Sequence, residues 1–429
     1  MLKDSRLKMN YFIKISLSFI VLAVLSCSTP ADKTTTKDIM TAEDILGNPN
    51  FQAISFGGYR EQTRKLCPSI EELKEDMKVL SAIDIKIIRT YYTQQFPHAE
   101  RVLQAIRELK QENPSFEMYV MLGAWIECDQ AFTPFRDHSK ENFKQNRAEI
   151  NKAIELSKVY PDIIKIIAVG NESMVHWAEM YSVYPKVILN YVKQLQKLKK
   201  EGELSSNLWI TSSDNFASWG GGSAEYHSSH LSELIKVVDF VSMHTYPFHD
   251  THYNSEFWEF DSLGSSKSKI QHAKEGIIRA KDYAISQYES TKRYVQSISP
   301  EKPIHIGETG WATSDHTKYG AKGSHAADEF KQKLYYDYMR EWSNENELSC
   351  FFFEAFDEPW KDTNDINASE NHFGLITTRG KAKYALWSAV DSGKFAGLTR
   401  NGNPISKTYS GNEKELFQTV LIPSKKLTN

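Results

Sequence analysis

A chain of 429 residues, 40% hydrophobic and 25% charged, can bury a large core as one big domain or two ordinary ones. Its formal charge of −3 gives no electrostatic reason to expect nucleic acid as a partner. Four cysteines with no CxxC pair exclude a zinc or redox site of that type.

At the N-terminus, Lys3, Arg6, Lys8 and Lys14 precede the apolar run "ISLSFIVLAVLS", which ends at Cys27. A basic segment before an apolar stretch too short to span a bilayer comfortably reads as an export signal over 1–26. Ser26-Cys27 resembles a bacterial lipoprotein processing site, which makes Cys27 the expected lipidated residue of a chain anchored in the cell envelope. The alternative is an ordinary cleaved signal with an incidental cysteine. From Cys27 to residue 45 the chain reads as a tether, its "STPADKTTTK" polar and without periodicity. Cys67, Cys128 and Cys350 remain; Cys67 and Cys128 lie near predicted strand-following loops, which leaves a bridge open that the spacing does not support, and Cys350 beside "FFF" reads as a buried thiol.

Past residue 50 one rhythm repeats. Strand-like runs cover 51–57, 85–91, 116–126, 163–172, 208–214, 237–248, 302–311 and 348–360. Helix-like segments alternate with them, among them "SIEELKEDMKVLSAI", whose Ser69 and Glu72 form a capping-box pattern. Later helices cover about 267–297 and 324–343. Nearly continuous apolar strands alternating with helices predict parallel strands buried on both faces. Eight such units predict a closed (β/α)8 TIM barrel over 46–395. An open doubly wound sheet is the rival, weakened because no Gly-rich dinucleotide fingerprint follows the first strand. The extension 396–429 is polar, lacks a clear element and is expected to pack loosely.

In a barrel of this kind the active site lies at the C-terminal ends of the strands. The predicted strand ends carry Arg89 and Tyr91, Trp125 and Glu127, Asn171 and Glu172, Asp214 and Asn215, His244 and Tyr246, Glu308 and Trp311. The eighth adds Glu354, Asp357, Glu358 and Trp360. An acid-rich pocket with aromatic walls suits glycoside cleavage, in which one carboxyl donates a proton while another stays ionised. Each acid alone could equally be a helix cap or an ion-pair partner. Arg89 could merely neutralise the acidic mouth. His244, His249 and His252 lack the spacing of a zinc-binding helix, so no metal and no cofactor are expected. Trp219 and the "EFWEF" run at 256–260 read as loop anchors or as sugar platforms. The residues alone do not choose the catalytic pair from Glu127, Glu172, Glu308, Glu354 and Glu358.

Four segments, "IKIIRTYYT", "IIAVGNES", "IHIGETGW" and "FFFEAFDEPWK", together resemble glycoside hydrolase family 17, the β-1,3-glucanases of plants, fungi and bacteria. The resemblance covers about 50–385 and is closest to the fungal and bacterial branch. It implies a retaining enzyme, monomeric, with β-1,3-glucan as its partner. Glu172 would be the general acid/base at the end of strand four and Glu308 the nucleophile at the end of strand seven. It further implies that Asn171 holds the sugar 2-hydroxyl. Glu354, Glu358 and Lys361 would contact the sugar nearest the cleaved bond, and Arg89, Tyr91, Tyr246 and Trp311 would shape the site. The chain departs from the family pattern at Phe56, where many members carry tyrosine, and at Ala312, where proline is usual.

Overall fold

The computed structural model describes residues 40–253, 267–314 and 325–421. Eight parallel strands close into a barrel: β1 (Gln52–Ser55), β2 (Ile85–Arg89), β3 (Tyr119–Ala124), β4 (Ile164–Asn171), β5 (Trp209–Asn215), β6 (Val241–His244), β7 (Ile304–Gly310) and β8 (Cys350–Phe353). Each pairs with its neighbours in chain order, and β1 closes on β8 with Ala53 opposite Phe351. The expected (β/α)8 barrel is therefore present. β3, β4 and β7 are buried along almost their whole length, as strands walled by helices outside and side chains inside must be.

Helices fill the connections where periodicity placed them. Ile70–Ser81 opens with the capping box: Ser69 Oγ accepts from the Glu72 amide at 3.3 Å, and Glu72 accepts from the Ser69 amide at 2.8 Å. The later helices run Lys269–Ile298 and Glu329–Glu345. On the rim, one element escaped the sequence reading. After β3 the chain forms a short antiparallel hairpin, Cys128–Asp129 against Asp137–Glu141, which raises that side of the rim.

The barrel floor corrects the expected tether. Residues Ala42–Ile45 are a helix capped by Thr41 and Asp44, and Ala42 and Ile45 are fully buried. They pack with Ala53, Ile87, Met121 and Phe351 near the strand starts. The tether reading thus ends before Thr41, because two apolar side chains one turn apart suffice to plug the barrel.

The C-terminal stretch also departs from expectation, since it is not loosely packed. Ser406–Lys407 pairs with Lys381–Ala382, and Glu413–Thr419 is a helix whose Leu416 is fully buried with Phe330 and Trp387. Arg400 is fully buried as well. Its Nε donates to Asp76 Oδ1 at 3.1 Å, and Arg60 donates to both oxygens of the same carboxylate, at 3.0 and 3.1 Å. Arg60 also donates to the Gly58 carbonyl at 2.7 Å, so the last part of the chain buttresses the loop after β1. Cys67, Cys128 and Cys350 are all free thiols. Burial pushes the Cys350 thiol up to about 11, which leaves it protonated and inert at neutral pH.

Candidate active site

The strand ends converge on a cleft of about 810 Å³. At its centre stand Glu172, one residue beyond β4, and Glu308 on β7. Gly170 makes the approach to Glu172 possible. It sits at φ +80°, and a Cβ there would lie 2.8 Å from Ser173 Oγ and 3.0 Å from Ile188, so only glycine fits. Glu172 itself is held at φ +47°, its amide donating to Ser213 O at 2.9 Å. A non-glycine residue in the left-handed region carries strain that the surrounding structure must hold, as functional sites often do.

Glu308 is buried among donors. Arg89, 1% exposed, forms an ion pair with its Oε1 and also donates to Gly307 O at 3.0 Å and to Asn171 Oδ1. Tyr246 donates to Oε2 at 2.7 Å. Burial alone would push the Glu308 carboxyl up. The His244 imidazole and the Arg89 guanidinium outweigh that, with help from Tyr246, and hold it below the usual carboxylate range. An acid kept ionised inside a cleft is ready to act as a nucleophile or a charge stabiliser.

His244 stands between the two acids. Its Nδ1 lies 3.0 Å from Glu172 and 3.7 Å from Glu308, and its Nε2 lies 2.7 Å from Ser213 Oγ. With Nε2 engaged by the serine, Nδ1 faces Glu172. A neutral ring accepts from the protonated acid there, and a charged ring donates to the carboxylate. Glu172 therefore keeps a hydrogen bond in either protonation state. Gly307 leaves room for this support, since a Cβ would meet Ser242 Oγ at 2.1 Å and Ser213 Oγ at 2.5 Å.

Glu172, His244 and Glu308 bring three ligand-type atoms within 4.8 Å of one another, the one such group among the described residues. The donor set suits an acid pair better than a metal. Arg89 already holds Glu308, and a second cation would sit against that fixed charge. His249 lies 3.8 Å from Glu370 instead, and the His252 side chain is outside the described residues.

The remaining expected residues divide. Tyr91, Tyr246, Asn171, Glu358 and Lys361 line the cleft. Glu358 accepts from the Tyr59 amide at 3.0 Å and from Trp360 Nε1 at 3.1 Å, tying the loop after β8 to the loop after β1. Lys361 lies between Glu354, at 2.5 Å, and Glu358, at 3.6 Å. Glu354 is 2% exposed and does not line the cleft; burial pushes its carboxyl well up, against the opposing pull of Lys361. Trp311 must be corrected. It is fully buried, its indole donates to Ala326 O at 2.7 Å and its ring packs on Tyr335 and Phe248. By residue 311 the chain has passed the rim and turned into the helical layer. Trp219 is a loop anchor, fully buried and donating to Ser242 O at 3.0 Å. Cys27 and the run at 256–260 lie outside the described residues.

Several site residues gave no usable sequence signal. Trp177 and Arg64 line the cleft from loops, and the Arg64 guanidinium lies 4.1 Å over the Trp360 ring. Glu149, mid-helix in Phe143–Val159, is fully buried and accepts from the amides of Thr93, Gln94 and Trp125 at 2.7, 3.1 and 3.2 Å. It fixes the turns that carry Tyr92 and Trp125, whose rings stack 4.8 Å apart.

Asp214 supports the acid from below, accepting from the Met174 amide at 2.7 Å. Burial pushes its carboxyl up to about 6 from 3.8. Between those values the folded state holds a proton that the unfolded chain has lost, so this group's contribution to stability falls as pH rises from about 4 to about 6. Asp214→Asn should remove that slope. The difference in Tm between variant and wild type is expected to shift in favour of the variant between about pH 4 and pH 7; a pH-independent difference would contradict it.

A family model described as the BtgE/BtgC glycoside hydrolase domain matches residues 53–374. The crystal structure of an endo-laminarinase from Formosa Hel1_33_131 is 54% identical, covers 91% of this chain and 100% of its own, and superimposes with a TM-score of 0.88. A glucan 1,3-beta-glucosidase of Arthroderma benhamiae is 24% identical over 74% of this chain and 85% of its own length. One of the same name from Schizosaccharomyces pombe is 24% identical over 75% of this chain and 82% of its own. The chain spans about half the length (49%) of Aspergillus relatives that it also matches. The model match covers the barrel from β1 past β8, with both central acids inside it, and the chain belongs to the BtgE/BtgC glycoside hydrolase family.

Proposed function

We propose that the protein is a retaining endo-β-1,3-glucanase that hydrolyses laminarin-type glucans by double displacement. One observation carries the reading: Glu172 and Glu308 face each other with oxygens within 4.8 Å. Acids this close fit the roughly 5–5.5 Å carboxyl separation of retaining enzymes better than the about 6.5–9.5 Å of an inverting pair. The endo-laminarinase, at 54% identity over its whole length, supports the substrate class and the endo mode.

In the first step Glu308 attacks the anomeric carbon while Glu172 protonates the departing glycosidic oxygen. In the second, Glu172 takes a proton from water, which attacks the same carbon and releases Glu308. Arg89 and Tyr246 keep Glu308 anionic between turnovers, and Asn171 beside it would meet the sugar 2-hydroxyl. Lys361 and Glu358, with the Trp360 ring, would face the sugar on the far side of the bond from Glu172.

We also propose that Cys27 carries a lipid that anchors a monomeric enzyme at the outer membrane, on its periplasmic or outer face. The basic segment, the apolar run and Ser26-Cys27 support this. Loss of membrane association in Cys27→Ala would confirm it; retention would count against it.

The function is tested by following products over time from laminarin and from a short β-1,3-oligosaccharide. Falling chain length with a spread of oligosaccharides, each first released with β configuration, is the expected result. Products longer than the starting oligosaccharide would make the enzyme a glucanosyltransferase. Binding without turnover would make it a glycan-binding barrel.

A further inference from the structure

All the exposed aromatic side chains among the described residues lie in one stretch of sequence: Phe132, Phe135, Phe143, Trp177 and Tyr184. They belong to the hairpin after β3, the loop after Glu172 and the first residues of the helices that follow. The two loops are locked together, because the Phe132 amide donates to Met180 O at 2.7 Å and the Cys128 amide to Tyr181 O at 2.9 Å. Exposed rings gathered at one corner of a rim, on loops pinned to each other, mark a binding surface.

The corner is continuous with the cleft. Tyr92 and Trp177 line the cleft. From Tyr92 a chain of ring contacts runs outward through Trp125 at 4.8 Å and Tyr181 at 4.7 Å to Phe132 at 5.7 Å. Phe132 is 57% exposed and held at φ +62°. A bulky side chain in that region is a steric outlier, and here it keeps an apolar ring in water.

We propose that this corner is a secondary platform for β-1,3-glucan, extending the cleft on the leaving-group side and seating glucose rings beyond the bond being cut. The proposal rests on the reading of Glu172 as the acid, since the platform loop begins at that residue. The rings offer flat apolar faces to the C–H faces of a neutral sugar, and Asp129, Gln130 and Arg136 around them offer hydroxyl partners. Such a platform would hold long chains and contribute nothing to short ones.

The test uses Phe132→Ala and Phe135→Ala, each alone, both outside the cleft. Binding to a long soluble β-1,3-glucan is measured by affinity electrophoresis in the inert Glu308→Gln background, and kcat/KM on the long glucan and on a trisaccharide is measured in the active enzyme. Each variant should weaken long-chain binding by about fivefold, the size expected for one aromatic contact, and leave trisaccharide hydrolysis unchanged. Loss on both substrates in Phe132→Ala alone would indicate a damaged loop, and Phe135→Ala then decides. Unchanged long-chain binding and kcat/KM in Phe135→Ala overturns the platform while leaving the glucanase reading intact. Wild type that neither binds nor cleaves the glucan overturns both. Self-association of the wild type that Phe135→Ala abolishes would reassign the corner to a second copy of the chain.

Discussion

Glu308→Gln should abolish glucan hydrolysis, by more than about 10⁴-fold in kcat, as expected when a nucleophile is removed from an acid/base pair that works as a unit. Glutamine keeps the shape and can still accept from Tyr246, but it cannot form a glycosyl ester. The Arg89 guanidinium loses its carboxylate and retains Gly307 O and Asn171 Oδ1, so the variant should fold with a lowered Tm. Glu308→Ala also opens space at the anomeric carbon. Added azide should then restore turnover and yield a glycosyl azide of inverted configuration, because a small anion replaces the missing carboxylate. The same additive with Glu172→Ala should give an azide of retained configuration. Exchanged configurations between the two variants would mean that the roles of the two acids are reversed. Residual hydrolysis within about tenfold of wild type in Glu308→Gln would remove it from the mechanism altogether.

Arg89→Met is expected to lower stability by about 3–5 kcal/mol, the usual cost of leaving one member of a buried ion pair behind. The pH dependence gives the sharper reading. In the wild type Glu308 is held below its ordinary value of 4.5. Its contribution to stability is therefore fully present above that value and is lost as pH falls through the lower, folded one. Without the guanidinium one of the two charges that offset burial is gone, and the carboxyl moves up. The acid limb of the pH–rate profile should shift to higher pH, with the nucleophile protonated over a range where wild type is active. A fall in kcat at all pH values with an unmoved acid limb would make Arg89 a contributor to shape alone. Arg89→Lys should recover part of the charge but not the simultaneous reach to Glu308, Gly307 and Asn171.

What could be read in the sequence was whatever depends on period and strand position. The eight staves were legible because apolar runs of strand length alternate with helical periods, and Arg89, Glu172 and Glu308 were legible because polar residues that end buried runs must stand at the rim. Direction was not legible. Trp311 follows Glu308 by three residues, yet it points into the core, since the chain there is leaving the barrel. Glu149 sits mid-helix, where a carboxylate ordinarily faces water, and only the fold shows three backbone amides converging on it. Arg64 and Trp177 come from loops without period, so nothing local marks them as cleft residues. In the tail, Leu416 and Val420 are four residues apart among charged neighbours. That is too short a stripe to announce a helix, though long enough to bury one turn against Phe330 and Trp387.

The seam of the barrel lies between β1 and β8, where Ala53 pairs with Phe351. Nearly three hundred residues separate these partners, so every stave must be synthesised before the ring can close. Until then β1 presents an unpaired edge, and Asp76 lacks Arg400, which is made later still. Contacts so distant in sequence make closure slow and leave the open sheet exposed to wrong pairing. The same delay keeps the chain unfolded for longer after synthesis.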